Sequence, residues 1–509
     1  MFRLKLIVIT LCFLITLLNI NIAYANSDPI YVLPIIVNPE DVSKLVNEFG
    51  TGSNRVKLGF SIGYEYLSND FTYVNNDHHT NPTYINNFII ASKQNNLPFL
   101  VHLNGHRWTV ADYIANNDEA MMYTDTGIPI TKLPEWVDPN QPKMGPYPAY
   151  RVASYLFSLN EYNSYYRNYK KRNIQEAGRY LVDFANANPN LFAGVSLDSE
   201  ISFCPAGFPG FSNYKYSFDY NIDTIVQWRH WLSGNTGSYI NGNYPNPYKD
   251  GAKLTGKGKN LDIDSLKNKY GINYASWDYV SPPTITLEPS GYISIISGNQ
   301  ALVNDWLEFK ASLTNNMLAD MINWLVEVGI PRNKIYSHQQ PLIAEYPELN
   351  KFCGVPYDSA QVNGAGYGSM LYGDMTNSLD LVTRISNLNS NWGLFEWNPA
   401  NLSNPLNQTP NYVSASLQLA YDHGADIIAP NYYISTSPLF PVDTLELNGN
   451  IAFFQGLKDF IINNKPAAAP SDLNFDGKVD YLDYDLLVSG FGSTYNIFDF
   501  NRMISTMKP

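Results

Sequence analysis

The stretch Phe192-Ala-Gly-Val-Ser-Leu-Asp-Ser-Glu200 joins a short apolar run to acidic residues that follow it directly. A run of this length and composition is typical of a strand that is buried on both faces of a parallel sheet. The arrangement recurs where the run that begins at Trp392 leads into Glu396. Because the carboxyl ends of parallel strands meet at one edge of a sheet, we expect both carboxylates at that edge.

Eight apolar runs of this kind recur along the chain, separated by stretches long enough for helices. Alternating strands and helices predict a parallel sheet, and eight repeats predict a closed (β/α)8 barrel. An open doubly wound sheet normally has fewer strands and a glycine-rich nucleotide turn, which the sequence lacks. The sixth run is the weakest, since its glycines suit a loop equally well. The runs are 31–37, 56–62, 98–103, 192–197, 334–337, 366–372, 392–395 and 426–429.

The composition argues for a neutral ligand. The net charge of −13 argues against nucleic acid and anionic membrane as partners, since both need a concentrated positive face. Aromatic residues make up 14% of the chain and charged residues only 16%, so many aromatic rings must lie near the surface. Flat rings there could stack on sugars, although any single Tyr could equally stand in for Phe in an Asn-rich chain.

The N-terminus predicts export. An apolar stretch over residues 6–18 is followed by Ala23-Tyr-Ala25, a pattern that signal peptidase recognises. We therefore expect a signal peptide over residues 1–25 and a secreted protein with no membrane association after cleavage. The alternative is a membrane anchor, because the run is nearly long enough to span a bilayer.

The mature chain divides into three predicted parts. The barrel domain covers residues 26–463, a Pro/Ala-rich linker covers 464–470, and a small module covers 471–509. Two cysteines remain after the signal, Cys204 and Cys353. They form either one disulfide, which an extracellular compartment permits, or two buried thiols.

Glu200 and Glu396 are the candidate catalytic residues. Glu396 lies between Phe395 and Trp397, an apolar setting in which a charge costs several kcal/mol unless it is compensated. Cleavage of a glycosidic bond needs one carboxylic acid that protonates the leaving oxygen and a second carboxylate that attacks or activates water. The structural alternative is a pair of buried salt bridges to barrel lysines or arginines.

In these positions the sequence resembles the clan of retaining (β/α)8 glycosidases that contains β-galactosidases and many endoglucanases. The resemblance rests on the architecture and on two strand ends, and it implies Glu200 as general acid/base and Glu396 as nucleophile. The clan usually has Asn directly before the acid, whereas this chain has Ser199. The departure leaves open a second assignment in which Asp198 is the catalytic acid.

Polar and aromatic residues follow several of the predicted strands and would line a sugar subsite at the same edge. Trp108 and Trp397 are predicted to form a stacking floor, and His338 or His106 to hydrogen-bond the nucleophile or a hydroxyl. The histidines form no ligand pair on a predicted helix, so no metal is expected in catalysis. The predicted substrate-binding residues are Asp198, Asn104, His106, Trp108, His338, Trp397 and Tyr432.

The C-terminal module carries a calcium-loop pattern from Asp472 to Asp483, with Gly477 at the position that needs a sharp turn. It resembles type I dockerin modules, and the resemblance implies docking to a cohesin-like scaffold or cell-surface protein. A second copy near residues 495–504 lacks the acidic ligands, so we expect one calcium ion. The alternative is a calcium-stabilised cap. The predicted ligands are Asp472, Asn474, Asp476, Lys478, Asp480 and Asp483.

The resulting hypothesis is a secreted glycoside hydrolase that cleaves a β-linked poly- or oligosaccharide by a retaining two-glutamate mechanism. A non-catalytic carbohydrate-binding barrel, anchored through the dockerin-like tail, is the alternative from a different class. An inverting hydrolase is the third, with carboxylates about 6.5 to 9.5 Å apart instead of about 5 to 5.5 Å.

Overall fold

The computed structural model describes most of the predicted barrel and a small part of the C-terminal module. None of the described helices is long and apolar enough to cross a bilayer. The predicted signal peptide and linker lie outside the described residues. The described residues are 29–53, 55–67, 72–73, 77–105, 121–129, 132, 164–198, 201, 203, 217–234, 238–239, 258–288, 292–339, 347–372, 375, 378–398, 410–430, 451–463, 481–489 and 491.

Strands occur in every one of the eight predicted runs, and two more form a hairpin between the fourth and fifth runs. In chain order they are β1 (Ile30–Val32), β2 (Val56–Leu58), β3 (Phe60–Glu65), β4 (Phe99–Asn104), β5 (Phe192–Ser196), β6 (Thr284–Leu287), β7 (Ile293–Ser297), β8 (Ile335–Tyr336), β9 (Tyr367–Tyr372), β10 (Trp392–Asn398) and β11 (Ile427–Pro430).

The parallel strands close into a ring. One sheet has the order β2-β1-β11-β10-β9 and the other the order β3-β4-β5-β8. Parallel bridges join them at two seams, Ile35 with Ser61 and Gln339 with Ser369. Strands β2 and β3 are two halves of one predicted strand, interrupted at Gly59. A side chain at Gly59 would lie 2.2 Å from the carbonyl oxygen of Pro98, so only glycine fits there. The predicted barrel of eight parallel strands is confirmed.

Helices alternate with the barrel strands. They are α1 (Asp41–Phe49), α2 (Pro82–Asn95), α3 (Ser164–Ala187), α4 (Ile222–Ser233), α5 (Ile263–Tyr270), α6 (Gln300–Glu327), α7 (Pro347–Phe352), α8 (Leu379–Leu388), α9 (Pro410–Asp422), α10 (Ile451–Asn463) and α11 (Tyr481–Ser489). Asparagine begins several of them: the side chains of Asn81, Asn221 and Asn299 accept backbone N–H groups at the starts of α2, α4 and α6.

The barrel interior is filled by a small cluster separate from the larger core between strands and helices. Tyr336 and Phe395 are its largest members, and their rings lie 4.9 Å apart. Glycines on β9 and just before it make room for them. A Cβ at Gly366 would lie 2.1 Å from the Tyr336 ring, and one at Gly368 would lie 2.6 Å from the Phe395 ring. The glycines that made the sixth run look like a loop are therefore packing residues of a strand.

Cys353 is disulfide-bonded. Its partner lies outside the described residues. Phe203, the neighbour of Cys204 in the chain, donates its backbone N–H to the Cys353 carbonyl at 2.9 Å. Of the two predicted states, this geometry fits the disulfide.

Candidate active site

A β-bulge in β10 turns Glu396 toward the barrel interior. Leu394 pairs with Ser369 on β9, but Glu396 pairs with Met370, the next residue along, so β10 holds one extra residue at this point. Phe395 accordingly packs inside the barrel. In an unbroken strand, Phe395 and Trp397 would share a face and Glu396 would point to the other. The bulge breaks this alternation, which is how one strand re-aims a side chain.

The Glu396 side chain is 21% exposed, and one of its oxygens lies 3.9 Å from Nε2 of His338. His338 follows β8, and its ring lies 6.0 Å from that of Phe395. The carboxylate therefore stands at the carboxyl end of the barrel strands, near an imidazole nitrogen and still open to solvent. This is the end of the barrel at which enzymes of this fold have their active sites.

Two residues that sequence reasoning did not select lie behind His338. Ser196 on β5 is fully buried, and its Oγ is 3.3 Å from Nδ1 of His338 and 2.7 Å from Nδ1 of His102 on β4. Burial lowers the pKa of His102 to about 3, so its imidazole is neutral at ordinary pH. The sequence feature that could have identified Ser196 and His102 is a polar residue at an inward position of an otherwise apolar strand.

Asp198 lies in a buried cluster at the ends of β3, β4 and β5. Its carboxylate accepts hydrogen bonds from the Tyr66 hydroxyl at 2.9 and 3.0 Å and from the Gly105 N–H at 2.7 Å. Lys170 of α3 pairs with it at 2.9 Å, and the two side chains are 1% and 0% exposed. Burial and the neighbouring carboxylate raise the pKa of Tyr66 well above its usual range, so Tyr66 remains a donor.

The surroundings of Asp198 differ from those that its two predicted roles, substrate binding and acid catalysis, require. Both carboxylate oxygens are taken up by protein donors, and no part of the side chain reaches solvent. A side chain buried to this extent is not open to a sugar hydroxyl or a leaving group. The cation that pairs with Asp198 is Lys170, which comes from helix α3 and not from a strand end.

Trp397 also departs from its predicted role. The bulge places its indole on the outer side of β10, where the ring packs edge-on against Phe453 of α10 at 5.4 Å. Its side chain is 0% exposed, so no ring face is open for stacking on a sugar.

Open space and unsatisfied polar atoms occur near the carboxyl end of the barrel strands. Gly63 on β3 pairs with His102 and is exposed, and a Cβ added to it would meet nothing within 4 Å. Within the described part of the chain, Nε2 of His102, Oδ1 of Asn104 and both amide atoms of Gln339 are buried without a hydrogen-bond partner. Buried polar atoms are normally paired, so this end of the barrel suits a ligand rich in hydroxyl groups.

The remaining predicted site residues cannot be placed. Glu200, His106, Trp108 and Tyr432 lie outside the described residues, as does the calcium loop apart from the backbone of Asp483 in α11. Across the described ranges, no group of three or more His, Cys, Asp or Glu side chains is arranged to hold a metal ion. The structure thus brings together Glu396 and His338 from the predicted set, and Asn104 ends strand β4 at the same end of the barrel.

The sequence matches no family model, and no curated protein matches it significantly. Solved structures do match. The catalytic domain of a β-amylase from Paenibacillus polymyxa aligns over 86% of this chain and 99% of that one, with a TM-score of 0.53 and 11% identity. The chain shares the (β/α)8-barrel fold of this β-amylase domain.

Two β-galactosidases extend the comparison. That of the psychrophilic Marinomonas ef1 gives a TM-score of 0.55 at 10% identity over 88% of this chain, and that of the haloarchaeon Halorubrum lacusprofundi gives 0.50 at 12% over 91%. This chain covers 61% and 64% of their lengths, about three fifths. At these identities the likeness establishes the fold alone.

Proposed function

We propose that the protein is a glycoside hydrolase whose nucleophile is Glu396. The observation that carries the proposal is the bulge in β10, which presents a partly exposed carboxylate at the active end of the barrel, 3.9 Å from His338. A bulge interrupts strand pairing, and such irregularities are over-represented next to active sites. The fold shared with β-amylase and β-galactosidase structures supports the same class of reaction.

In the proposed reaction, Glu396 attacks the anomeric carbon while the bond from that carbon to the leaving oxygen breaks. Glu200, assigned by its place in the sequence, gives its proton to the leaving oxygen. Glu200 then takes a proton from water, whose oxygen displaces Glu396 and regenerates the free carboxylate. Two displacements on opposite faces retain the anomeric configuration. An N–H at Nε2 of His338 would stabilise the Glu396 carboxylate between turnovers.

The proposed substrate is a β-linked poly- or oligosaccharide. The hydroxyl-rich chemistry of a sugar suits the unpaired buried atoms of His102, Asn104 and Gln339. Secretion and attachment through the calcium-binding tail belong to the same proposal, on the sequence patterns at the two ends of the chain. Calcium has a structural role in it and takes no part in the chemistry.

The test is the release of reducing sugar from a panel of β-linked polysaccharides and aryl glycosides by the secreted form. Glu396→Gln should lower the rate at least about a thousandfold, because the amide is a far poorer nucleophile. The matched control is Glu308→Gln on the exposed face of α6, which should retain full activity.

If both the wild type and the variant bind the polysaccharide but release no reducing sugar, the carbohydrate-binding barrel is favoured instead. Release with inverted configuration at the anomeric carbon would favour the inverting mechanism, in which Glu396 activates water. Hydrolysis that persists in Glu396→Gln would refute the assignment.

A further inference from the structure

Ser196 and His102 form a hydrogen-bonded chain that ends at the imidazole of His338. The chain runs through the barrel interior from β4 to β5 to the end of β8, and His102 and Ser196 are also neighbours in the strand register. We propose that Ser196 and His102 are positioning residues that hold an N–H of His338 toward Glu396. The inference rests on the proposed function, since it gives that N–H its task at the nucleophile.

Donor capacity allows two proton arrangements in the neutral chain, and the Glu396 carboxylate beside Nε2 of His338 favours the one that puts a proton on that nitrogen. The Ser196 hydroxyl has one proton to donate, and it lies between two Nδ1 atoms. If it donates to Nδ1 of His338, the proton of the neutral imidazole must be on Nε2, facing Glu396. In that case His102 carries its proton on Nδ1 and donates it to Ser196.

The chain also accommodates a charged His338. The protonated imidazole donates from Nδ1 to Ser196, whose hydroxyl then reverses and donates to Nδ1 of the neutral His102. Nε2 of His338 still bears a proton. In both states an N–H of His338 faces Glu396. The change between them requires the Ser196 hydroxyl to reverse and the His102 proton to move from Nδ1 to Nε2. Hydrogen bonding at the second nitrogen is the usual means by which a protein selects a histidine tautomer.

Packing holds the imidazoles in place. The rings of His102 and His338 lie 5.3 Å apart, and each also contacts Phe395. Strand β9 lies between β8 and β10 and has Gly368 at this level, where a side chain would meet Phe395. The titratable groups near His338 include His102 and Glu396. A change at Ser196 should act on Glu396 through His338.

The test is the pH dependence of kcat/KM on an aryl glycoside from the panel. Ser196→Ala and His102→Leu should move the acidic limb to higher pH by about 0.5 to 1 unit, the equivalent of one neutral hydrogen bond. The basic limb should stay unchanged in both variants, and KM should stay unchanged in Ser196→Ala, which removes no atom assigned to substrate binding. His102→Asn should return the acidic limb to its wild-type position, because the asparagine amide can donate a hydrogen bond to Ser196 or accept one from it.

The matched control is Ser61→Ala, which removes another fully buried serine hydroxyl from the barrel, one that donates only to the Leu33 carbonyl. An acidic limb that stays in place in Ser196→Ala, or that moves as far in Ser61→Ala, would overturn the proposal.

A second measurement does not depend on turnover and so separates this inference from the proposed function. In full-length protein labelled with 15N at histidine, the His338 signal is assigned by its loss in His338→Gln. The wild type should show the Nε2–H tautomer at neutral pH, and Ser196→Ala a mixture of tautomers. Identical tautomers in the two proteins would overturn the inference even if the enzyme is active.

Discussion

Lys170 and Lys171 are adjacent in α3 but differ completely in their surroundings. Lys170 pairs with Asp198 inside the protein, whereas Lys171 pairs with Glu327 at 3.0 Å in a pair that is 32% and 50% exposed. Loss of one partner from a buried pair leaves an uncompensated charge and costs about 3 to 5 kcal/mol, while an exposed pair contributes less than about 1 kcal/mol. We expect Lys170→Met to lower the free energy of unfolding by the larger amount and Lys171→Met by the smaller. Urea denaturation measures both, and equal losses would contradict the buried cluster.

Lys310 on α6 makes stability depend on pH. It is fully buried, donates to the Phe352 carbonyl, and burial lowers its pKa from 10.5 to about 7. Between these values the unfolded chain binds one proton more than the folded one, so folding becomes more favourable as pH rises, by up to about 1.4 kcal/mol per unit. Below pH 7 Lys310 is protonated in both the folded and the unfolded state, so the cost of burying its charge no longer changes with pH.

Lys310→Met should remove this contribution. Relative to the wild type, the variant should gain most stability near pH 7 and progressively less toward pH 10, as thermal unfolding across that range would show. The exposed Lys351→Met serves as the control. A stability difference between Lys310→Met and wild type that does not change with pH would show that Lys310 is not buried in this way.

Individual residues also mark the limit of what the sequence could predict about the site. Glu396 and His338 could be chosen because each follows an apolar run. The burial of Asp198 could not be predicted from the sequence. Its cation comes from a helix nearly thirty residues earlier in the chain, and its other donors follow two further strands. Contacts between elements distant in sequence leave no local pattern.

At the level of the element, β10 shows why strand alternation could not predict which side chains face the barrel interior. Its sequence gives no sign of the extra residue at Phe395, and strict alternation would have put Glu396 outside the barrel. All eight barrel strands were found from their apolar runs, since burial on both faces leaves a strong compositional signal. The bulge depends on pairing with β9 and β11, which only the folded sheet reveals.

The glycines of the strands yield a test of the barrel interior. A Cβ at Gly368 would lie 1.9 Å from the Ser337 carbonyl oxygen and 2.6 Å from the Phe395 ring, whereas one at Gly63 would enter open space. Gly368→Ala must displace backbone or the aromatic layer, and overpacking of this kind costs about 1 to 3 kcal/mol. Gly63→Ala should leave the midpoint of thermal unfolding unchanged. If both variants melt like the wild type, β9 does not pack against Phe395 as described.

For the whole molecule, the barrel and the C-terminal module are predicted to have separate tasks. Because the proposed chemistry uses only barrel residues, removal of calcium with EGTA should leave hydrolysis of a soluble aryl glycoside unchanged. Titration calorimetry on the full chain should then show one calcium ion bound, and Asp476→Ala should abolish that binding. Loss of hydrolysis on chelation would mean that calcium also supports the barrel.

The central claim is that Glu396 becomes covalently bound to the sugar. In the most direct measurement, the protein is incubated with activated 2-deoxy-2-fluoro-β-glycosides of the sugars that it hydrolyses. These compounds form the glycosyl-enzyme rapidly, and the glycosyl-enzyme is hydrolysed slowly. Mass spectrometry of the peptides then locates the label. The account predicts one fluoroglycosyl group on the peptide that contains Glu396, and none on the Glu396→Gln variant. A label on a different carboxylate, or continued hydrolysis with no labelled peptide, would contradict it.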